Sequence, residues 1–134
     1  MIVTSGAFDG LHSGHVAYLR AAKALAEPGE LLVCCVAPDN YLVQTHGRTA
    51  RWTQAQRVAV VEALDCVDLA IGQGADDVAE EIRRLRPRLV VKGTDWAPSL
   101  TPDSTLVRAC AAVGALLVLV HTPGRHNRDV EWRL

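Results

Sequence analysis

The chain of 134 residues is 49% hydrophobic and 22% charged, with a net charge of -1 at pH 7. This composition excludes a disordered chain and gives no electrostatic basis for binding nucleic acid. No run approaches the roughly 18 apolar residues that a membrane span needs. We therefore expect one domain over residues 1–134 of a cytoplasmic protein whose partners are small molecules, with neither nucleic acid nor membrane among them.

The first third of the chain predicts two strands separated by a helix. Residues 1–4 form a short apolar strand, and residues 16–26 place apolar side chains on one helical face until a Pro-Gly pair ends the helix. Residues 31–37 are continuously apolar, as expected of a parallel strand that is covered on both faces. Residues 44–52 are polar and basic with no period, which favours a mobile loop.

The rest of the chain continues the alternation of helix and strand. Thr53 and Gln56 form a capping box that starts a second helix, and residues 66–71 form the third strand. A third helix precedes the fourth strand, residues 89–92, and a fourth helix that ends at a glycine precedes the fifth strand, residues 115–120. Five strands alternating with four helices predict an α/β fold, a five-stranded parallel sheet with helices on both faces, Rossmann-like in form.

The turn after the first strand has the composition of a phosphate-binding site. Residues 6–15 read Gly-Ala-Phe-Asp-Gly-Leu-His-Ser-Gly-His, in which glycines allow close approach of the backbone and a helix start offers amide groups to an anion. His12 and His15 lie three residues apart, so they share one helical face and can reach the same phosphate chain. Hydrogen bonding at the helix start is the alternative for both histidines, and helix capping is the alternative for Asp9.

Other chemistry is less consistent with the sequence. The turn lacks the Gly-Lys-Ser/Thr of the Walker motif and the three spaced glycines of dinucleotide-binding proteins. Four cysteines lie in apolar runs without Cys-x-x-Cys spacing, which predicts buried free thiols and no metal site. These cysteines are Cys34, Cys35, Cys66 and Cys110.

Basic residues occupy the other loops at the same predicted edge of the sheet. In parallel sheets, ligands bind beyond the carboxyl ends of the strands, where the chain order changes direction. The glycine–histidine turn, the loop with Arg48 and Arg51, residues 92–96 and the tail with Arg125 should all meet there. Lys92 ends a buried strand just before a glycine, so we expect it at the opening of the sheet.

These motifs resemble the HxGH signature of the cytidylyltransferase-like nucleotidyltransferases. The resemblance covers residues 1 to about 120 and is strongest in two segments, residues 6–15 and residues 89–96. The Val-Lys-Gly-x-Asp-Trp segment looks most like the adenylyltransferases that act on heptose 1-phosphate. Chain length and the Asp95-Trp96 pair also look like glycerol-3-phosphate cytidylyltransferase. In three places the chain departs from the family pattern: Ala7 stands where relatives offer a hydroxyl, the loop carries arginines in place of lysines, and the tail lacks a Ser/Thr pair.

The resemblance implies attack by a substrate phosphate on the α-phosphate of a nucleoside triphosphate, with release of pyrophosphate and with Mg²⁺ bridging the phosphates. It implies catalytic roles for His12, His15 and Lys92. It implies nucleotide contacts from Ala7, Phe8, Asp9, Gly14, His15, Asp95 and Arg125. It implies contacts with substrate phosphate from Arg48, Arg51 and Arg57, although Arg57 also fits a solvated surface arginine. A homodimer is implied as well.

The function predicted from the sequence is transfer of a nucleoside monophosphate from ATP or CTP to a small phosphorylated sugar or polyol. A sugar 1-phosphate adenylyltransferase fits the motifs best. The alternatives are an enzyme like glycerol-3-phosphate cytidylyltransferase and a nucleotide-binding module with weak or no catalysis.

Overall fold

The computed structural model describes residues 1–122, which fold around a parallel sheet. The strands are β1 (Ile2–Gly6), β2 (Leu32–Val36), β3 (Leu69–Gly72), β4 (Leu89–Gly93) and β5 (Leu116–Val120). Their order across the sheet is β3-β2-β1-β4-β5, and all neighbours run parallel. The predicted five-stranded parallel sheet is confirmed. Strand β1 extends to Gly6, two residues beyond the prediction, because its ladder with β2 continues to that residue.

Five α-helices connect these strands in the described residues. They are α1 (Ser13–Ala24), α2 (Tyr41–His46), α3 (Gln54–Glu62), α4 (Ala79–Leu85) and α5 (Thr105–Val113), and a 3-10 helix (Thr94–Ser99) follows β4. The prediction of four helices missed α2, which takes up the start of the predicted 44–52 loop. A helix of six residues spans fewer than two turns, so it is too short to show a helical period.

The predicted helix ends are formed by the predicted residues. The Thr53 side chain accepts a hydrogen bond from the Gln56 amide while the Gln56 side chain accepts from the Thr53 amide, which confirms the capping box. Gly114 ends α5 in the left-handed conformation, at φ 71°. These caps form from residues that are close in sequence.

Helices cover both faces of the sheet. Leu19 of α1 and Val61 of α3 pack with one set of strand side chains, whereas Ile82 of α4 and Ala109 of α5 pack with the other set. Burial of each large side chain contributes about 1.5–3 kcal/mol. Three of the four cysteines are buried and Cys66 is half-buried, and all four thiols are free.

The sheet opens beside β1, where the order of the strands changes direction. Strand β2 lies on one side of β1, and β4 lies on the other side. The connections on the two sides diverge, so a crevice forms beyond Gly6, the last residue of β1, and Gly93, the last residue of β4. No helix within residues 1–122 combines the length and the apolar character that crossing a membrane requires.

Candidate active site

A cavity of about 420 Å³ lies at this opening of the sheet. Its walls come from the turn after β1, the start of α1, the segment after β4 and the end of β5. The lining residues are Ser5, Gly6, Ala7, Phe8, His12, Gly14, His15, Tyr18, Gly93, Thr94, Asp95, Trp96, Val120, His121 and Thr122. The fold therefore brings six of the predicted site residues into one cavity of the size that small-molecule ligands occupy.

The two histidines cap the helix that they begin. Nδ1 of His12 accepts a hydrogen bond from the Gly14 amide at 3.0 Å, and Nδ1 of His15 accepts one from the His12 amide at 3.3 Å. The rings are stacked, with centroids 3.9 Å apart. Because Nδ1 accepts in both rings, each neutral imidazole carries its proton on Nε2. Hydrogen bonding at the helix start, the alternative role for both histidines, is therefore present in the structure. It fixes the tautomer of both rings.

Phe8, in the turn after β1, packs against His15 of this pair. It has a φ of 52°, a left-handed conformation that non-glycine residues rarely adopt, and its ring is buried. The ring meets His15 edge-on, with centroids 5.3 Å apart. A Cβ atom at Gly6 would lie 2.9 Å from the Phe8 ring, so the close approach of turn and ring requires glycine there.

Asp9 faces away from the cavity and binds the segment that follows α2. Its carboxylate is 1% exposed and accepts a hydrogen bond from Arg48 Nη1 at 2.7 Å. It also accepts from the backbone amides of Arg51, at 2.9 Å, and of Trp52, at 3.0 Å. Burial acts to raise the pKa of Asp9, but the bonds from Arg48 and the two amides outweigh it and lower the pKa. These bonds tie the carboxylate to the segment that follows α2, and the nucleotide contact of Asp9 stays a prediction.

Arg57 lies inside the protein, under the turn. It is 2% exposed, and its guanidinium donates to the carbonyls of Trp52, Ala7 and Ala37 at 2.8–3.0 Å. A fourth bond joins it to the Asp39 carboxylate at 2.8 Å. The interpretation of Arg57 as a solvated surface arginine is therefore wrong, whereas its contact with substrate phosphate stays a prediction. Spacing in the sequence could not show that carbonyls from three separate loops converge on this side chain.

Lys92 lies directly beneath the cavity wall. It is 3% exposed, and its Nζ donates to Ser5 Oγ at 2.7 Å and lies 3.9 Å from the centroid of the Trp96 ring. Desolvation lowers its pKa to about 8, although the negative charge of Asp95 opposes that shift. A Cβ at Gly93 would lie 2.5 Å from Asp95 Oδ1, so the glycine allows the carboxylate to fold back over the strand end.

Sequence reasoning missed several cavity residues. Tyr18 lines the cavity, donates to the Val91 carbonyl at 2.8 Å and is hydrogen-bonded to Thr4, and burial raises its pKa. Thr94 and His121 are joined at 3.1 Å between Oγ1 and Nδ1, directly after β4 and β5. The available signal was positional, because residues that follow paired parallel strands must meet at one edge.

One predicted site residue is not part of this geometry. Arg125 lies outside the described residues, so its nucleotide contact stays a prediction. Among residues 1–122, no group of three or more His, Cys, Asp and Glu side chains could hold a metal ion.

Known proteins match this chain over nearly all of the described residues. The cytidylyltransferase-like family model matches residues 3–122. A solved structure titled as a lipopolysaccharide core biosynthesis protein from Thermoplasma volcanium has a TM-score of 0.71 and 26% identity, and covers 93% of this chain and 97% of that one.

Sequence relatives of the chain include proteins of different length. The bifunctional protein HldE of Halorhodospira halophila is 36% identical over 135 residues, which is 100% of this chain and 27% of the relative. The D-beta-D-heptose 1-phosphate adenylyltransferase of Bordetella bronchiseptica is 38% identical over 111 residues, 81% of this chain and 67% of the relative. The chain thus spans about a quarter of the length of HldE. From its matched family model, its fold and its histidine turn, the chain belongs to the cytidylyltransferase-like family of nucleotidyltransferases.

Proposed function

We propose that the chain transfers a nucleoside monophosphate from a nucleoside triphosphate to a small phosphorylated sugar or polyol, with release of pyrophosphate. The observation that carries the proposal is the stacked His12–His15 pair at the N-terminus of α1, on the wall of a cavity at the sheet opening. The Bordetella relative, named for adenylyl transfer to heptose 1-phosphate, favours ATP and a sugar 1-phosphate as substrates.

The histidine pair suits displacement at phosphorus. A phosphate oxygen of the acceptor forms a bond to the α-phosphorus, and the bond from that phosphorus to the bridging oxygen of the β-phosphate breaks, which releases pyrophosphate. The acceptor phosphate is ionised at neutral pH, so no general base is needed. The protein must align the reactants and stabilise charge. Two Nε2–H donors and the positive end of the α1 dipole serve that purpose at the phosphates.

Three further cations lie around the same turn. Arg48 and Arg51 both approach the Asp9 carboxylate, and two guanidinium groups against one carboxylate leave one positive charge. Lys92 donates to Ser5, which lines the cavity. We assign the arginines to the acceptor phosphate and Lys92 to charge that develops on the transferring phosphoryl group.

Magnesium fits this donor set as an ion carried by the phosphates. Asp95 is the carboxylate that lines the cavity within the described residues, and a single carboxylate with phosphate oxygens and waters is the usual environment of Mg²⁺ at a nucleotide. Asp95 would hold the ion, which would neutralise charge on the triphosphate and the leaving pyrophosphate.

Pyrophosphate release tests the proposal directly. The purified protein is offered ATP or CTP with a panel of sugar 1-phosphates and polyol phosphates, and we expect turnover with ATP and a sugar 1-phosphate. Turnover with CTP and glycerol 3-phosphate would identify the cytidylyltransferase alternative. Nucleotide binding by calorimetry without pyrophosphate from any pair would overturn the enzyme assignment in favour of a binding module.

A further inference from the structure

The segment that carries the two arginines, residues 48–52, is held to the phosphate-binding turn by one buried side chain. We call residues 48–52 the arginine segment. The Asp9 carboxylate accepts bonds from the Arg48 guanidinium and from the amides of Arg51 and Trp52. Arg51 Nη1 lies 3.8 Å from the same carboxylate. One side chain of the turn therefore contacts three residues of the segment.

Each end of the arginine segment also has a bond to another part of the chain. The Arg48 amide donates to the carbonyl of Leu42 in α2, and the Trp52 carbonyl accepts from Arg57 Nε. Asp9 adds bonds at both ends of the segment, from the Arg48 side chain and from the amides of Arg51 and Trp52. The carboxylate can remain ionised while buried because charged and backbone donors replace its water.

The anchored arginines still offer charge to a ligand. The side chains of Arg48 and Arg51 are 32% and 34% exposed, whereas the Asp9 side chain is 1% exposed. Asp9 directly follows Phe8, which lines the cavity. The arginine segment is therefore bonded to the residue that directly follows a cavity-lining residue.

We infer that Asp9 is a positioning residue for the acceptor phosphate: it orders the arginine segment against the turn, so that Arg48 and Arg51 meet that phosphate together. The inference rests on the proposed function, but it gives Asp9 no contact with either substrate. Loss of Asp9 should therefore weaken the acceptor and spare the nucleotide.

Limited proteolysis with trypsin tests the anchoring without reference to activity. Cleavage after Arg48 and Arg51 requires the segment to detach, and bonds to a charged group hold it, so we expect Asp9→Asn to be cut roughly 10- to 100-fold faster at these bonds. Asp103→Asn is the matched control, because Asp103 is an exposed carboxylate just before α5. Unchanged cleavage in a folded Asp9→Asn protein would overturn the inference.

Kinetics then separate positioning from a general structural role. We expect Asp9→Asn to raise KM for the sugar phosphate roughly 10- to 100-fold, with KM for ATP changed less than about 3-fold. An equal loss for both substrates would sink the inference. If Asp9→Asn fails to fold, Arg48→Gln removes one bond and leaves the amide bonds to Asp9, and faster cleavage after Arg51 is then the expected result. If the wild-type protein releases no pyrophosphate, the proposed function fails while proteolysis still decides the role of Asp9.

Discussion

The two basic parts of the site are held in different ways. His12 and His15 are three residues apart and fix one another through the backbone of their own helix start. Arg48 and Lys92 are held by side chains that lie 39 and 87 residues away in the chain. The histidine part therefore depends on local structure, whereas the arginine and lysine parts depend on how β1, β4 and the segment after α2 pack together.

The largest expected effect is on the local part. We predict that His15→Ala lowers kcat/KM by about 10²–10³-fold, since one donor to a developing oxyanion contributes about 2.7–4 kcal/mol. The free energy of unfolding should fall by only about 0.5–2 kcal/mol, the usual value of a helix cap. His46→Ala, at an exposed histidine of α2, is the control and should leave both quantities unchanged. Full turnover by His15→Ala would remove the mechanism.

The pH dependence of the free energy of unfolding tests the environment of Lys92, which is held by long-range contacts. Its pKa is about 8 in the folded protein and 10.5 as its ordinary value, so the unfolded chain binds more protons between these values. The free energy of unfolding should therefore rise with pH across this window, by up to about 3 kcal/mol, and lose that contribution as pH falls through 8. Urea titrations at pH 7.5 and 10.5, compared with Lys92→Met, measure it. The prediction would be refuted if the free energy of unfolding changed equally in both proteins between these two pH values.

Arg57 should matter for stability more than for chemistry. Arg57→Met removes the donor from three carbonyls, in one buried and two partly buried hydrogen bonds, so we predict a loss of about 2–3 kcal/mol in the free energy of unfolding. Arg83→Met, at an exposed arginine of α4, is the matched control and should change it by less than about 0.5 kcal/mol. Denaturant unfolding gives both values. A stable Arg57→Met protein with a raised acceptor KM would support the substrate contact predicted from the sequence.

The smallest effect concerns the packing of the turn. Gly6→Ala would place a Cβ 2.9 Å from the Phe8 ring, so we predict a loss of about 1–2 kcal/mol and a lower kcat as the ring shifts against His15. At Gly74 an added Cβ meets its nearest atom at 3.8 Å, an ordinary contact, so Gly74→Ala is the control. Equal stability of the two variants by thermal unfolding would show that the turn tolerates the methyl group.

Much of the fold follows from local patterns. The apolar runs predicted all five strands, and the Thr53–Gln56 box predicted the start of α3, because both signals need only neighbouring residues. Helix α2 was not predicted, because a helix of six residues is too short to show a helical period. Six of the predicted site residues line the cavity, namely Ala7, Phe8, His12, Gly14, His15 and Asp95, whereas Asp9 of the same turn does not.

The sequence by itself determined the parallel sheet, the histidine turn and the family, since strand and cap patterns act over a few residues. Only the tertiary structure decided the partners of the charged groups. Asp9 binds the arginine segment, Arg57 lies under the turn, and Lys92 meets Ser5. These contacts depend on the register of β1 with β4 and on loop packing, so no spacing along the chain encodes them. A buried charge takes the donors or acceptors that the fold brings to it.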